Sequence, residues 1–241
     1  MSPVVSRLPA SWQTALTRLP VSWSAASPAA ALPGESAPGK ITADRVAPDV
    51  KLAAAGDSAS GAAASETIVS HAVLYQEDPV DPHGKRYFGT VTWHLEPGAG
   101  SVPAQVKGDV EIDKQMNATL SLRRNIDSEM PASHIMEVKF NWPDETTHSG
   151  VDTLKGVSMK AVESGRGAPL SALTAKVTPK FFMIALSAGD VDLKRNVLLL
   201  KGKEWFDIPI VYSGGSRAVL AIEKGADGER AFKDAFAAWG Q

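Results

Sequence analysis

The chain has 241 residues, 44% of them apolar, and a formal charge of −2 from 25 basic and 27 acidic side chains; this supports one or two domains with a full core. The basic pairs Lys85-Arg86, Arg123-Arg124 and Lys194-Arg195 are scattered, which argues against a nucleic acid partner, since phosphate binding needs clustered cations. The absence of cysteine removes disulfides, thiolate nucleophiles and Cys-based zinc sites together, and no apolar run approaches the ~18 residues of a membrane-spanning helix.

The N-terminus repeats the hexamer Arg-Leu-Pro-x-Ser-Trp, at Arg7–Trp12 and Arg18–Trp23. On a helix, Leu8, Trp12, Leu16, Leu19 and Trp23 would form an apolar stripe flanked by Arg7 and Arg18. Trp and Arg suit a membrane interface, so peripheral membrane contact is one expectation. Pro20 interrupts such a helix, and two short turns, each starting at its proline, fit better. A docking peptide built on Arg7, Leu8, Trp12, Arg18, Leu19 and Trp23 is the second expectation. The prolines also cut the apolar segment that a signal peptide requires.

From Ser24 to Ser65 the chain is mostly Ala, Pro, Ser and Gly and holds no aromatic residue. Such a segment buries too little apolar surface to offset its ordering entropy, so residues 1–66 are predicted to be a disordered arm and linker. Two near-motifs fall here. "GESAPGKI" lacks the final Ser or Thr of a phosphate-binding loop and has no strand before it. "GDSAS" resembles a lipase serine block without the strand-turn-helix context. Both read as chance.

From Glu66 onward the hydrophobic period is two. Tyr87, Val91, Trp93 and Leu95 share one face, with Thr90, Thr92, His94 and Glu96 on the other. The same alternation holds for Val106, Val110 and Ile112, for Leu120 and Leu122, and for Met136, Val138, Phe140 and Trp142. This is the pattern of strands with one dry and one wet face. The runs "KFFMIALS", "NVLLLK" and "RAVLAIE" are apolar on both faces and read as central strands. "LKGKE" and "YSGGSR" read as tight hairpin connections. Pro209, inside "WFDIPIVY", predicts an edge or a bulge. The last element, "DGERAFKDAFAAWG", reads as a helix with Asp227 as N-cap, Glu229 near the positive end of its dipole, Phe232, Phe236 and Trp239 on one face, and Gly240 as its stop. The fold class predicted is mainly β: an antiparallel β-sandwich of about ten strands over residues 67–241, with this C-terminal helix packed on it.

No dinucleotide, kinase, nucleophile-elbow or H-E-x-x-H motif occurs, and no cofactor is implied. His134 shares the parity of Met136 and Val138 and reads as a half-buried histidine. His94, on the wet face, is the better ligand candidate. Asp78, Asp81 and His83 form an acidic turn that lacks EF-hand spacing and is a weak metal candidate. Asp109, Glu111 and Asp113 read as a carboxylate ladder, either solvated-edge chemistry or, with His94, a glycoside-cleaving cluster. Asn117-Ala-Thr119 is a sequon in a eukaryotic secretory pathway.

The stretches "SHAVLYQEDP", "MPASHIMEVKFNW", "GVSMKAVESGRG", "WFDIPIVYSGGSRAVLAIEKG" and "FKDAFAAWG" give residues 70–240 a texture that resembles alphaproteobacterial proteins ending in a β-domain after an Ala/Pro-rich linker. The resemblance implies a tethered module. The tail "EKGADGERAFKDAFAAW" is similar to the end of the invasion-associated locus B family of envelope β-proteins, whose usual cysteines are missing here. Neither resemblance carries a functional residue across. The reading that follows is a non-catalytic binding or protein-interaction module for a protein or glycan partner, on the periplasmic or envelope side of a bacterial cell. The alternatives are a carbohydrate hydrolase using Asp109, Glu111, Asp113 and His94, and a regulatory domain of a signalling assembly.

Overall fold

A computed structural model describes residues 70–143 and 150–241, which fall in one compact unit, Glu66–Gln241. The N-terminal arm with its repeat, Arg7, Leu8, Trp12, Arg18, Leu19 and Trp23 included, lies outside the described residues.

The elements in chain order are β1 (Ser70–Gln76), β2 (Lys85–Glu96), β3 (Gln105–Ile112), β4 (Met116–Arg124), β5 (Ala132–Asn141), β6 (Val151–Leu154), β7 (Ser158–Lys160), β8 (Ala168–Pro169), β9 (Ala172–Thr178), β10 (Phe181–Ser187), α1 (Asp190–Gly202), β11 (Trp205–Tyr212), β12 (Arg217–Glu223) and α2 (Gly225–Ala238). The twelve strands form one antiparallel sheet in the order β8-β7-β11-β12-β1-β2-β3-β4-β5-β10-β9, with β6 also on β11. Strand spacing predicted two packed sheets; the strands instead follow one continuous path that curls into a half-barrel.

The curl follows from what α2 must bury. Its face of Phe232, Phe236 and Trp239 is buried, as the sequence period requires. Phe232 meets Trp93 of β2 at 5.4 Å and Phe206 of β11 at 5.6 Å between ring centroids. Trp239 meets His134 of β5 at 5.1 Å, and its indole N–H donates to the Ala104 carbonyl at 2.9 Å. A flat sheet cannot offer β11, β2 and β5 to one short helix, because neighbouring strands are ~4.8 Å apart. The inner face therefore wraps the helix, and the seam is crossed by an ion pair from Lys176 of β9 to Asp152 of β6, 3.0 Å long.

Parity places the dry faces correctly: Val91, Trp93, Val106, Val110, Ile112, Leu120, Leu122, Met136, Val138, Phe140 and Trp142 are all buried. Three local readings are corrected. "NVLLLK" belongs to α1, not to a strand, and "LKGKE" is the end of that helix. Asp190 and Asp192 in its first turn and Lys201 in its last suit the helix dipole, and Asn196 and Leu200, four apart, form its buried face. Asp227 is not the cap of α2. That helix starts at Gly225, and Asp227 sits in its first turn, paired with Arg230 at 2.5 Å. Pro209 is in neither an edge strand nor a bulge. β11 pairs β7 through Trp205–Asp207 and β6 through Ile210–Tyr212, and Pro209 occupies the gap between the two partners.

Candidate functional site: an outer-face groove

The inner face is filled by α2 and the core. On the outer face, two recesses lie over β11, β12, β1 and β2. Register aligns Pro209, Val219, Tyr75 and Arg86 in one row across these strands. The next row is Asp207, Ala221, Val73 and Phe88. Val73, Ala221 and Trp205 are buried on this outer face, with Tyr75 packed against them. The centre of the face is thus an apolar floor.

Two walls rise from it. The first is the β1–β2 hairpin. Asp78 accepts the Val80 amide at 2.8 Å and Asp81 the His83 amide at 2.9 Å. Gly84 has φ +68, and a side chain there would meet the Gln76 carbonyl at 2.6 Å, so the turn requires glycine. Asp78 also binds Lys85 at 2.7 Å, which holds its carboxyl below the usual range. The second wall is the 161–167 connection. Glu163 accepts the Tyr75 hydroxyl and pairs with Arg86 at 3.1 Å. Burial, then the Glu163 carboxylate, pushes the Tyr75 phenol above its ordinary value, against the pull of Arg86. Beneath this wall Lys160, only 4% exposed, pairs with Asp207 at 2.7 Å.

The hairpin side of the floor holds a cleft of about 480 Å³ reached by Lys155 and Arg217; the other side holds a recess walled by Glu163, Ser164 and Gly165. Tyr75 and Val219 line both. Beside them the Arg86 guanidinium lies 5.2 Å from the ring centroids of Tyr75 and Phe88, and Phe88 is 64% exposed. That aromatic–guanidinium–aromatic ladder offers π-faces and donors to a partner.

The candidates named from sequence lie elsewhere or serve the hairpin. His94 stands on the wet face, 3.6 Å from Glu96 and 4.0 Å from Asp109. Lys107 reaches Asp109 at 3.5 Å, and Thr119 donates to it at 2.9 Å. Glu111 is exposed on the same strand, whereas Asp113 lies past the end of β3, in the turn. This cluster is an open network of compensated charges on the sheet surface. Asp78, Asp81 and His83 are part of the cleft wall, their carboxylates spent on the turn. Among the described residues no three His, Asp or Glu side chains gather as a metal would require. His134 lies on the apolar face, as its parity indicated, but it is fully rather than half buried, at 1% exposure.

Sequence reading missed Tyr75, Arg86, Phe88, Lys155, Lys160, Glu163 and Arg217. The one local signal was Phe88, an aromatic on the wet parity of β2. Of the rest, Tyr75 and Arg86 face each other across the β1–β2 hairpin, and the others join them only through pairings distant in sequence, β1 with β12 and β11 with β6 and β7. Comparison of the chain with family models, curated proteins and solved structures finds no match.

Proposed function

We propose that this domain is a non-catalytic binding module that takes its partner in the outer-face groove. The observation that carries the reading is the Tyr75–Arg86–Phe88 ladder beside a floor of Pro209, Val219 and Tyr75. A large aromatic left open next to a recess, as Phe88 is, is what binding surfaces present. The ionisable groups there favour binding over proton transfer: Glu163 is held by Tyr75 and Arg86, Asp207 by Lys160, and Asp78 by Lys85. They brace walls.

The test is binding of the full chain to a panel of glycans, peptidoglycan fragments and extended peptides, repeated with Tyr75→Ser and Phe88→Ser. A saturable ligand lost in both variants supports the groove. A ligand held equally well by both overturns it and moves attention to the His94–Asp109 surface or the arm.

A further inference from the structure

We propose that the hairpin end of the groove is an anion subsite, in which Lys155 and Arg217 hold a carboxylate or phosphate group whose apolar body lies along Pro209, Val219 and Tyr75. The inference rests on the groove reading and names the class of its ligand.

It follows from the hydrogen-bond inventory of the cleft, not from its net charge. Glu77, Asp78 and Asp81 are balanced by Lys85, Lys155 and Arg217. Each carboxylate has at least one oxygen engaged within the protein. Asp78 takes the Val80 amide and Lys85, Asp81 takes the His83 amide, and Glu77 takes the Arg217 amide at 3.3 Å. The side chains of Lys155 and Arg217 have no hydrogen-bond or ion-pair partner among the described residues. A lysine ammonium carries three donors and a guanidinium five. The cleft therefore presents two cationic side chains with unspent donors, beside carboxylates each already turned to a hairpin or strand amide, and the ligand that completes those donors is an acceptor.

Placement agrees. The Lys155 amide donates to the Pro209 carbonyl at 3.0 Å, which roots that lysine at one end of the floor. Arg217 lies two residues before Val219 on β12 and so shares its outer face. The cations flank the apolar row, leaving it open to the body of the ligand.

The experiment is an NMR titration of the isotopically labelled full chain with four probes: phenyl phosphate, phenylacetate, benzyl alcohol and inorganic phosphate. The two aryl anions are expected to shift the amides of Lys155, Ala218 and Val219 saturably, and to bind at least tenfold more tightly than benzyl alcohol. The tighter of the two aryl anions identifies phosphate or carboxylate as the native group. Lys155→Gln and Arg217→Gln should each weaken the aryl anions about tenfold. Both positions are exposed, so the fold is retained. Val219→Ser should weaken the aryl anions and leave inorganic phosphate unchanged. Equal binding of benzyl alcohol, indifference to both cation variants, or no saturable shift with any probe overturns the subsite. The groove itself stands or falls separately, on Tyr75 and Phe88.

Discussion

The six-membered ring of Trp93 lies over Gly108, its cross-strand partner: a methyl group on that glycine would meet three of the ring carbons at 2.6, 2.7 and 2.9 Å. At the five-membered ring of the same indole Gly228 of α2 approaches, and a methyl there would come within 2.9 Å of it. The indole N–H is fixed to the Glu223 carbonyl at 2.8 Å, so the ring cannot slide away. Two glycines let one tryptophan join sheet to helix. Gly108→Ala and Gly228→Ala are each expected to cost about 1–3 kcal/mol through overpacking. The double variant should cost less than the sum, because both act on one ring. Urea unfolding followed by tryptophan fluorescence measures all three, and full additivity would show that the two glycines do not share a target.

His134 gives the fold a pH dependence of definite sign. Burial, chiefly, pushes its imidazole down to about 4 from 6.5, with Arg124 adding to the fall and Gln241 opposing it. Between pH 6.5 and 4 the unfolded chain binds a proton that the folded one refuses, so stability falls as pH falls through that window. The full difference is about 3 kcal/mol. His134→Phe keeps the ring among Phe236 and Trp239 and should remove that part of the slope. Denaturant midpoints at pH 7.5, 6, 5 and 4, taken as the difference between native and variant, give the answer; parallel curves would contradict it.

Parity made the dry face and the burial of His134 legible, because inward-facing residues repeat every second position whatever the sheet does globally. It said nothing of how many sheets there are. That depends on which strands pair, and β1 joining β12 across most of the domain has no local sign. "NVLLLK" misled for a related reason: a short apolar run fits a buried strand and a half-buried helix equally, and the aspartates and lysine at the helix ends were the better guide. The groove was hidden most fully, since Tyr75, Lys155, Glu163 and Arg217 come from four separate segments.

Pro209 shows how a residue hostile to strands can sit in an interior one. Its missing N–H falls where β11 has β7 behind and β6 ahead, and its carbonyl is used by Lys155. Pro209→Ala should lower stability by no more than about 1 kcal/mol, through the freer unfolded chain. Moving the proline one step, as Ile210→Pro, places it against both Leu154 and Ala218 and should cost at least about 3 kcal/mol. Urea midpoints of the two variants decide it; a severe loss from Pro209→Ala would mean that the gap tolerates only the pyrrolidine ring.

Glu163 is expected to govern both the ionisation of Tyr75 and the order of the wall above it. Its carboxylate raises the phenol's proton affinity by accepting the hydroxyl and by its charge, while Arg86 lowers it. Glu163→Gln removes the charge and weakens the acceptor, so Tyr75 should titrate at lower pH than in the native chain. Tyr212, pushed up to about 12 by burial, stays out of the way, and subtraction of a Tyr75→Phe spectrum isolates the signal in an absorbance titration. The same variant releases Arg86 from its carboxylate at 3.1 Å, the contact that ties the 161–167 connection to β2. Amide exchange at Val162–Gly165 should accelerate accordingly. An unshifted phenol together with unchanged exchange would mean that Glu163 does not brace the groove, and that the wall stands on its own turn geometry.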